Sequence, residues 1–335
     1  MGNDLTTSII IRALNEGKFI GKLLYGLYQQ SKLPNEIILV DSGSTDETLL
    51  IASSYGVQIE KISKEEFTFG RSLNIGCNKA SGDILIFLSA HVYPSHKDWL
   101  ENIVKPFKNE SVVCSYGKQR GNSLTKYSEN QIFLSYFPDQ IDAIKTPYFC
   151  NNANCAIRKN QWEKEIYDES LTGLEDLDWA KKHYQKGWTI FYVPEAEVIH
   201  VHEENWKQIK NRYKREAIAL KRIEPNISMN YLNMIYLILL SIFSDFYSTK
   251  SINFFKKNFF SIILFRFNQY LGTYEGLNIS NKNIEQIKYT FYYPPNKIYK
   301  EKSQKQNYLN RSKKSRNLIN YDSFENLIIE FPKRK

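Results

Sequence analysis

Residues 82–94 read GDILIFLSAHVYP, and the middle of that stretch decides the fold. Gly82 and Asp83 form a turn, Ile84 to Leu88 run apolar without alternation for the length of one strand, and Ser89, Ala90 and His91 make a polar end before Pro94. A run of this kind suits a strand buried on both faces, as in a parallel sheet covered by helices. Ligands of such sheets bind beyond the carboxyl ends of the strands, so His91 sits where chemistry is expected.

Upstream, Ser8 to Arg12 is a short apolar strand, and Asn15-Glu16-Gly17 turns it into a helix. Phe19, Ile20, Leu23, Leu24, Leu27 and Tyr28 recur there at helical spacing, and Pro34 stops the element. Glu36 to Val40 is a second strand, followed by Asp41-Ser42-Gly43-Ser44-Thr45-Asp46 and a helix from about Glu47. Thr45 is its expected N-cap, and Asp46 and Glu47 suit the positive end of its dipole. Val57 to Ile62 is a third strand and Ser72 to Ala80 a helix. This alternation, with short connections, predicts an α/β fold with a doubly wound, mostly parallel sheet and right-handed crossovers.

Downstream, the pattern predicts a helix over Trp99 to Phe107, a strand over Val112 to Tyr116 and a long polar loop from Gly117 to Asn130. A strand over Asn154 to Arg158, a helix from Glu175 to Lys186 closed by Gly187, and two strands, Thr189 to Val193 and Val198 to Val201, complete it. GxGxxG and GxxxxGK[ST] are both missing, so neither a dehydrogenase-type dinucleotide fold nor a P-loop is supported.

A chain of 335 residues with 42% hydrophobic and 24% charged residues has the material for a large α/β domain with an appendage, or for two domains. The net charge of +9 is unevenly placed: eight Lys or Arg lie between Lys297 and Arg316, against the single acid Glu301. That block reads as a solvated tail or one that meets an anionic surface. No nucleic-acid module accompanies it, so lipid is favoured over nucleic acid as the partner. Cys77, Cys114, Cys150 and Cys155 form no CxxC pair, and the N-terminus lacks a signal-peptide pattern, so free thiols in a reducing cytoplasm are expected. Cys150 and Cys155 lack a second Cys/His pair at metal-binding spacing.

In this order, these segments resemble the family 2 glycosyltransferases, mostly inverting enzymes with the GT-A fold. The likeness runs from about Ser8 to His202. Ser8-Ile9-Ile10-Ile11 with Asn15-Glu16 resembles the family's opening strand and turn, and Val40 to Asp46 its nucleotide-base motif. The resemblance implies nucleotide-sugar binding by Asn15, Glu16, Asp41 and the turn at Gly43. Asp41 would accept a hydrogen bond from the base; a carboxylate suits the imide N–H of uracil or thymine. Phe69 to Gly76 and Ala80 to Asp83 resemble the helix and turn before the donor strand, where Arg71 either reaches the diphosphate or lies in solvent.

Ser89-Ala90-His91 occupies the place of the family's DxD metal motif with both acids replaced. The resemblance implies a divalent cofactor, Mn²⁺ or Mg²⁺. His91 is read either as its ligand or as a hydrogen-bond donor to the leaving phosphate in a metal-free site; imidazole suits softer ions than carboxylate does. Asn151 to Arg158 resembles the acceptor-side strand, and Thr172 to Trp179 the ED motif at a helix start. Inverting transfer needs one general base, here Asp176, then Glu175, then Asp178, although acids also collect at helix N-termini for dipole reasons. His200-Val201-His202 is expected to put its imidazoles on opposite faces, with His202 ahead of His200 at the donor phosphates.

Trp206, Ile209, Tyr213, Ala217 and Leu220 form an apolar stripe on a helix whose other face carries Lys207, Lys210, Arg212, Lys214 and Arg215. Tyr231 to Phe243 is strongly apolar, and Ile252 to Leu271 mixes aromatics with Lys256, Lys257 and Arg266. The apolar core Met234 to Phe243 is about half of the ~20 residues a spanning helix needs, so these helices are expected to lie on the inner face of the cell membrane. The alternative is a helical subdomain packed on the catalytic domain or on a second copy of the chain. The expected organisation is a catalytic domain over 1–204, a helical region over 205–296 and a basic tail over 297–335, with a short final element at Leu327 to Phe331. The expected function is transfer of a sugar from a nucleotide-sugar to a glycan or lipid-linked acceptor in surface polysaccharide synthesis. A catalytically impaired scaffold of the same fold and a nucleotidyltransferase are the competing readings.

Overall fold

The apolar run of residues 84–88 forms the middle of an eight-stranded sheet in the computed structural model, which describes residues 5–144, 146–249, 252–279, 317–322 and 324. The first half follows the predicted alternation: β1 (Thr7–Ala13), α1 (Gly17–Tyr28), β2 (Glu36–Asp41), α2 (Thr48–Ser54), β3 (Gln58–Lys61), α3 (Phe69–Lys79) and β4 (Ile84–Ser89). Then come β5 (Val92–Pro94), α4 (Trp99–Val104) running into a 3-10 turn, β6 (Val112–Arg120), α5 (Tyr127–Tyr136), β7 (Asn154–Arg158), the short α6 (Lys159–Trp162), α7 (Glu175–Gln185) and β8 (Thr189–His200). Three helices follow: α8 (Trp206–Ile223), α9 (Tyr231–Tyr247) and α10 (Ile252–Leu277).

The strand order is β3-β2-β1-β4-β7-β6-β8-β5. β1, β2, β3 and β4 are mutually parallel, whereas β7 runs antiparallel to both β4 and β6, and β5 antiparallel to β8. Both faces of β4 are buried as its sequence requires: Ile84, Ile86 and Leu88 join Leu23 and Leu24 of α1, while Leu85 and Phe87 join Leu73 and Cys77 of α3 with Tyr167 and Trp179.

Three local expectations are corrected. Residues 117–130 are not one loop, because β6 continues to Arg120 and α5 begins at Tyr127. The two strands expected over 189–201 are the single 12-residue β8. Its Pro194-Glu195-Ala196-Glu197 insert is absorbed by a register shift, since Gly117 pairs with Val193 and Gln119 already with Val198. Thr45 is not the N-cap of α2, a place taken by Glu47; its N–H donates to Asn15 Oδ1 instead.

α8 packs against α10. Gly276 of α10 lies so close that a Cβ there would come within 2.4 Å of the Lys214 carbonyl oxygen, an approach that only glycine permits. The basic face of α8 is spent inside the protein: Lys210 and Lys214 both pair with Glu275, and Arg212 with Glu129 and Glu204. Between α9 and α10, buried Arg266 makes a two-pronged pair with Asp245 at 2.8 and 2.6 Å. The other side of α9 is open, with Leu232, Tyr236, Leu239, Leu240 and Phe243 all at least half exposed. Among the described residues no helix is long and apolar enough to cross a membrane.

Near its end the chain returns to the first helix. Ile319 and Tyr321 are buried with Tyr93 and Val201, and the Tyr321 hydroxyl donates to the Pro94 carbonyl at 2.7 Å. Gly26 of α1 makes room for that ring, because a Cβ there would stand 2.1 Å from the Tyr321 oxygen. The basic block after Lys297 and the element expected at Leu327 to Phe331 lie outside the described residues.

Candidate active site

Polar residues gather where β1, β2, β4 and β8 end and α7 begins, the crevice that open α/β sheets use for ligands. Asp41 closes β2, 2% exposed. Its Oδ2 accepts from the Gly43 and Ser44 N–H groups, both at 3.0 Å, with Gly43 at φ +98°. Asn15, at φ +53°, ties this loop to the end of β1: its N–H donates to Ser44 Oγ and its Oδ1 accepts from Thr45. Asn15, Asp41 and Gly43 therefore share one corner. Glu16 turns instead toward the end of β4, where its carboxylate lies 3.2 Å from His91 Nδ1.

The start of α7 carries both acids of the expected motif, and both are buried. Leu174, the residue before them, is left-handed at φ +57°, a conformation that costs a non-glycine residue about 1–2 kcal/mol. Glu175 is held by Arg12 of β1 at 3.1 Å, and the Arg12 guanidinium also lies over the Phe69 ring. Asp176 accepts from the Asn152 N–H at 2.7 Å and the Leu177 N–H at 2.8 Å. Burial first, and then the neighbouring Glu175 charge, push its carboxyl up to about 7, against the pull of those N–H groups and Arg12. Asp178 pairs with Lys182 one turn on, at 2.7 Å, away from this arrangement. Arg71 is largely exposed, 3.6 Å from Glu169.

The three histidines meet. His91 and His200 stack at 5.1 Å, and His200 and His202 cross at 4.1 Å between ring centroids. The expectation that His200 and His202 face opposite ways is wrong: successive strand side chains alternate, so residues two apart share a face. Each ring has an oxygen at Nδ1, namely Glu16 Oε1 for His91, Gln119 Oε1 for His200 at 2.7 Å and Glu129 Oε1 for His202 at 3.0 Å. Burial, followed by the other two imidazoles, depresses the His200 basicity well below the usual histidine value.

Several members of the site escaped the sequence. Glu129 lay in the expected loop, and Gln119 just beyond the expected end of its strand. Asn152 stands beside Asp176, and neither its side-chain nitrogen nor its oxygen has a partner. Arg215 of α8 lies over the same Phe69 ring as Arg12, at 4.4 Å, with an unpartnered Nε. The helical region thus lends a cation to the site. A signal was present for Asn152 alone, in the Asn151-Asn152-Ala153-Asn154 cluster before β7.

Residues 8–166 match the model of the glycosyl transferase family 2. The O-antigen chain rhamnosyltransferase RfbN of Salmonella typhimurium is 29% identical over 219 residues, which are 62% of this chain and 69% of that protein. The O-antigen chain rhamnosyltransferase WbaN of Salmonella anatum is 30% identical over 201 residues, 56% of this chain and 64% of that one. The chain therefore spans about two thirds of the length of these relatives. Among solved structures, the mannosyltransferase PcManGT from Pyrobaculum calidifontis, determined with GDP-Man and Mn²⁺, superposes with a TM-score of 0.57 at 16% identity, over 82% of this chain and 87% of that one. Glucosyl-3-phosphoglycerate synthase from Mycobacterium tuberculosis gives 0.51 at 19% identity, over 65% and 80%. At those identities the likeness is one of fold, and the fold is GT-A. By its sheet, its acid pair at the head of α7 and its match over residues 8–166, the chain carries a glycosyltransferase family 2 region across those residues.

Proposed function

We propose that this glycosyltransferase moves a sugar, with inversion, from a nucleotide-sugar donor to a glycan or lipid-linked acceptor in surface polysaccharide synthesis, and that Asp176 is its general base. The observation that carries this reading is a buried carboxyl pushed up to about 7, beside a second acid that Arg12 holds as an ion pair. A base poised near the working pH is the efficient one. The acceptor hydroxyl gives its proton to Asp176 as its oxygen bonds to the anomeric carbon, and the bond from that carbon to the donor phosphate breaks, its electron pair leaving with the nucleoside diphosphate. The two Salmonella relatives make rhamnose the first sugar to try. Nothing in the site favours the impaired scaffold, since its acid pair is intact.

Asp41 is proposed to hold the donor's base. Its Oδ2 serves the loop and its Oδ1 takes only the longer Ser44 N–H contact at 3.3 Å, which leaves a lone pair on Oδ1 for a ligand. Asp41→Asn should weaken donor binding by about 1.5–3 kcal/mol, the size of a charged hydrogen bond, in calorimetry against UDP-, dTDP-, GDP- and CMP-sugars. Equal affinities for wild type and variant would reduce Asp41 to a turn residue, and binding of none of these donors would overturn the functional reading. For the cofactor, His91 and His202 are the proposed ligands of a divalent ion. Such an ion, when bound, would offset charge on the departing diphosphate.

The exposed side of α9 is proposed to rest on the inner leaflet. Leu232, Tyr236, Leu239, Leu240 and Phe243 fall at helical spacing on that open side, and Lys256 and Lys257 of α10 are exposed. Each cation near an anionic surface contributes roughly 1 kcal/mol at low salt. Flotation with liposomes should require anionic lipid and weaken as salt rises; binding indifferent to both would point to a protein partner.

A further inference from the structure

We propose that His91, His200 and His202 form a resident binding site for a borderline divalent cation of the zinc and cobalt class, one that the chain fills before any nucleotide arrives. The proposal rests on the reading above only for what the cation would do in transfer. One nitrogen from each of the three rings lies within 4.8 Å of the others. Every ring is oriented from behind by an oxygen on Nδ1. Glu16 and Glu129 are carboxylates that only accept, and the Gln119 amide presents its oxygen because its nitrogen donates to Asn151 Oδ1 at 3.1 Å. An acceptor at Nδ1 fixes the proton there and leaves the Nε2 lone pair for a metal, the arrangement that buttressed metal-binding histidines use.

His200 gives the sharpest sign. It is 5% exposed, and its Nε2 has no hydrogen-bond partner. A buried lone pair left unmatched carries a free-energy cost that a cation would remove. The donor set is all nitrogen, which suits zinc, cobalt or nickel better than magnesium, and three protein ligands would leave a fourth position unfilled. Two other clusters fit less well. Arg212 already occupies the Glu129, His202 and Glu204 group. Cys114, Cys150 and Cys155 are sealed in the core, where burial and mutual contact hold the thiols protonated.

The test uses the full chain, stripped with chelator and free of nucleotide. Equilibrium dialysis against Zn²⁺ in a large excess of Mg²⁺ should load one ion per chain, and Co²⁺ should give visible absorption bands of nitrogen ligation. Gln119→Leu, which removes the support of His200 together with the Gln119 bond to Asn151, should lower zinc affinity about 10–100-fold, and His200→Ala should lower it further. If His200→Ala fails to fold, the Gln119→Leu comparison decides the matter. Unchanged zinc affinity in Gln119→Leu, or zinc that binds only once nucleoside diphosphate is added, would overturn the proposal. A chain that binds zinc in this way yet transfers no sugar would overturn the functional reading and leave the metal site standing.

Discussion

Asp176→Asn should lose sugar transfer by on the order of 10²–10⁴-fold while still binding donor, because a general base contributes about that much and does not hold the nucleotide. Wild-type turnover should rise with pH through about 7 and then level, since the buried carboxyl must lose its proton before it can accept one. The variant should lose that limb. Stability carries the opposite sign. The folded pKa lies above the usual aspartate value of 3.8, so the native chain holds this proton more tightly than the unfolded one. Its contribution is fully present below about 3.8 and is lost as pH rises through about 7. The melting temperature of Asp176→Asn relative to wild type should therefore climb between pH 5 and pH 8. Near-normal turnover in this variant, with Glu175→Gln inactive, would move the base to Glu175.

Arg212→Leu is expected to have the largest effect on stability. Arg212 reaches Glu129 at 2.7 Å and Glu204 at 2.9 Å, and the Glu129 side chain is 4% exposed. Removing one partner of a buried pair strands the other charge, at a cost of about 3–5 kcal/mol in urea unfolding. Adding Glu129→Gln should recover more than half of the loss, because the stranded charge is gone while His202 keeps an oxygen to donate to. Burial alone would raise the Glu129 carboxyl, but Arg212 and then His202 prevail and bring it down to about 2. The pair's contribution is thus present above about 4.5 and is lost as pH falls through about 2, so wild type and Arg212→Leu should converge in acid. A double variant no more stable than the single one would mean that the loss comes from packing.

β1, β2 and β4 were legible because each is an apolar run between turn residues, and β3 by the alternation of Val57 and Ile59 in a polar stretch. Strand direction was not, since the antiparallel β7 has the same composition as its parallel neighbours. α5 was missed for a physical reason: its inward residues include the polar Ser128 and Glu129, and Glu129 is buried by pairing with Arg212 and His202 rather than by apolarity. The break expected in β8 came from Pro194 and two glutamates, and only the partner strand reveals that a bulge accommodates them. At the site, the acid pair was readable from its order alone. The three-histidine cluster was not, because it depends on His91 and the end of β8 being neighbours through β5, a three-residue strand with no signal of its own.

The packing of Tyr321 over Gly26 also bears on how the molecule is made. On the ribosome α1 emerges well ahead of the ring that covers its outer side, which follows about 300 residues later. At ~5–20 residues per second that is roughly 15–60 s during which the Phe19 and Tyr25 side of the helix has no lid. Sheet strands β1 to β4 can assemble in that interval, but the surface around Tyr93 and Tyr25 stays sticky until Ile319 and Tyr321 have emerged. Ribosome-stalled chains ending before Asn317 should therefore bind chaperone more strongly than chains ending after Phe324.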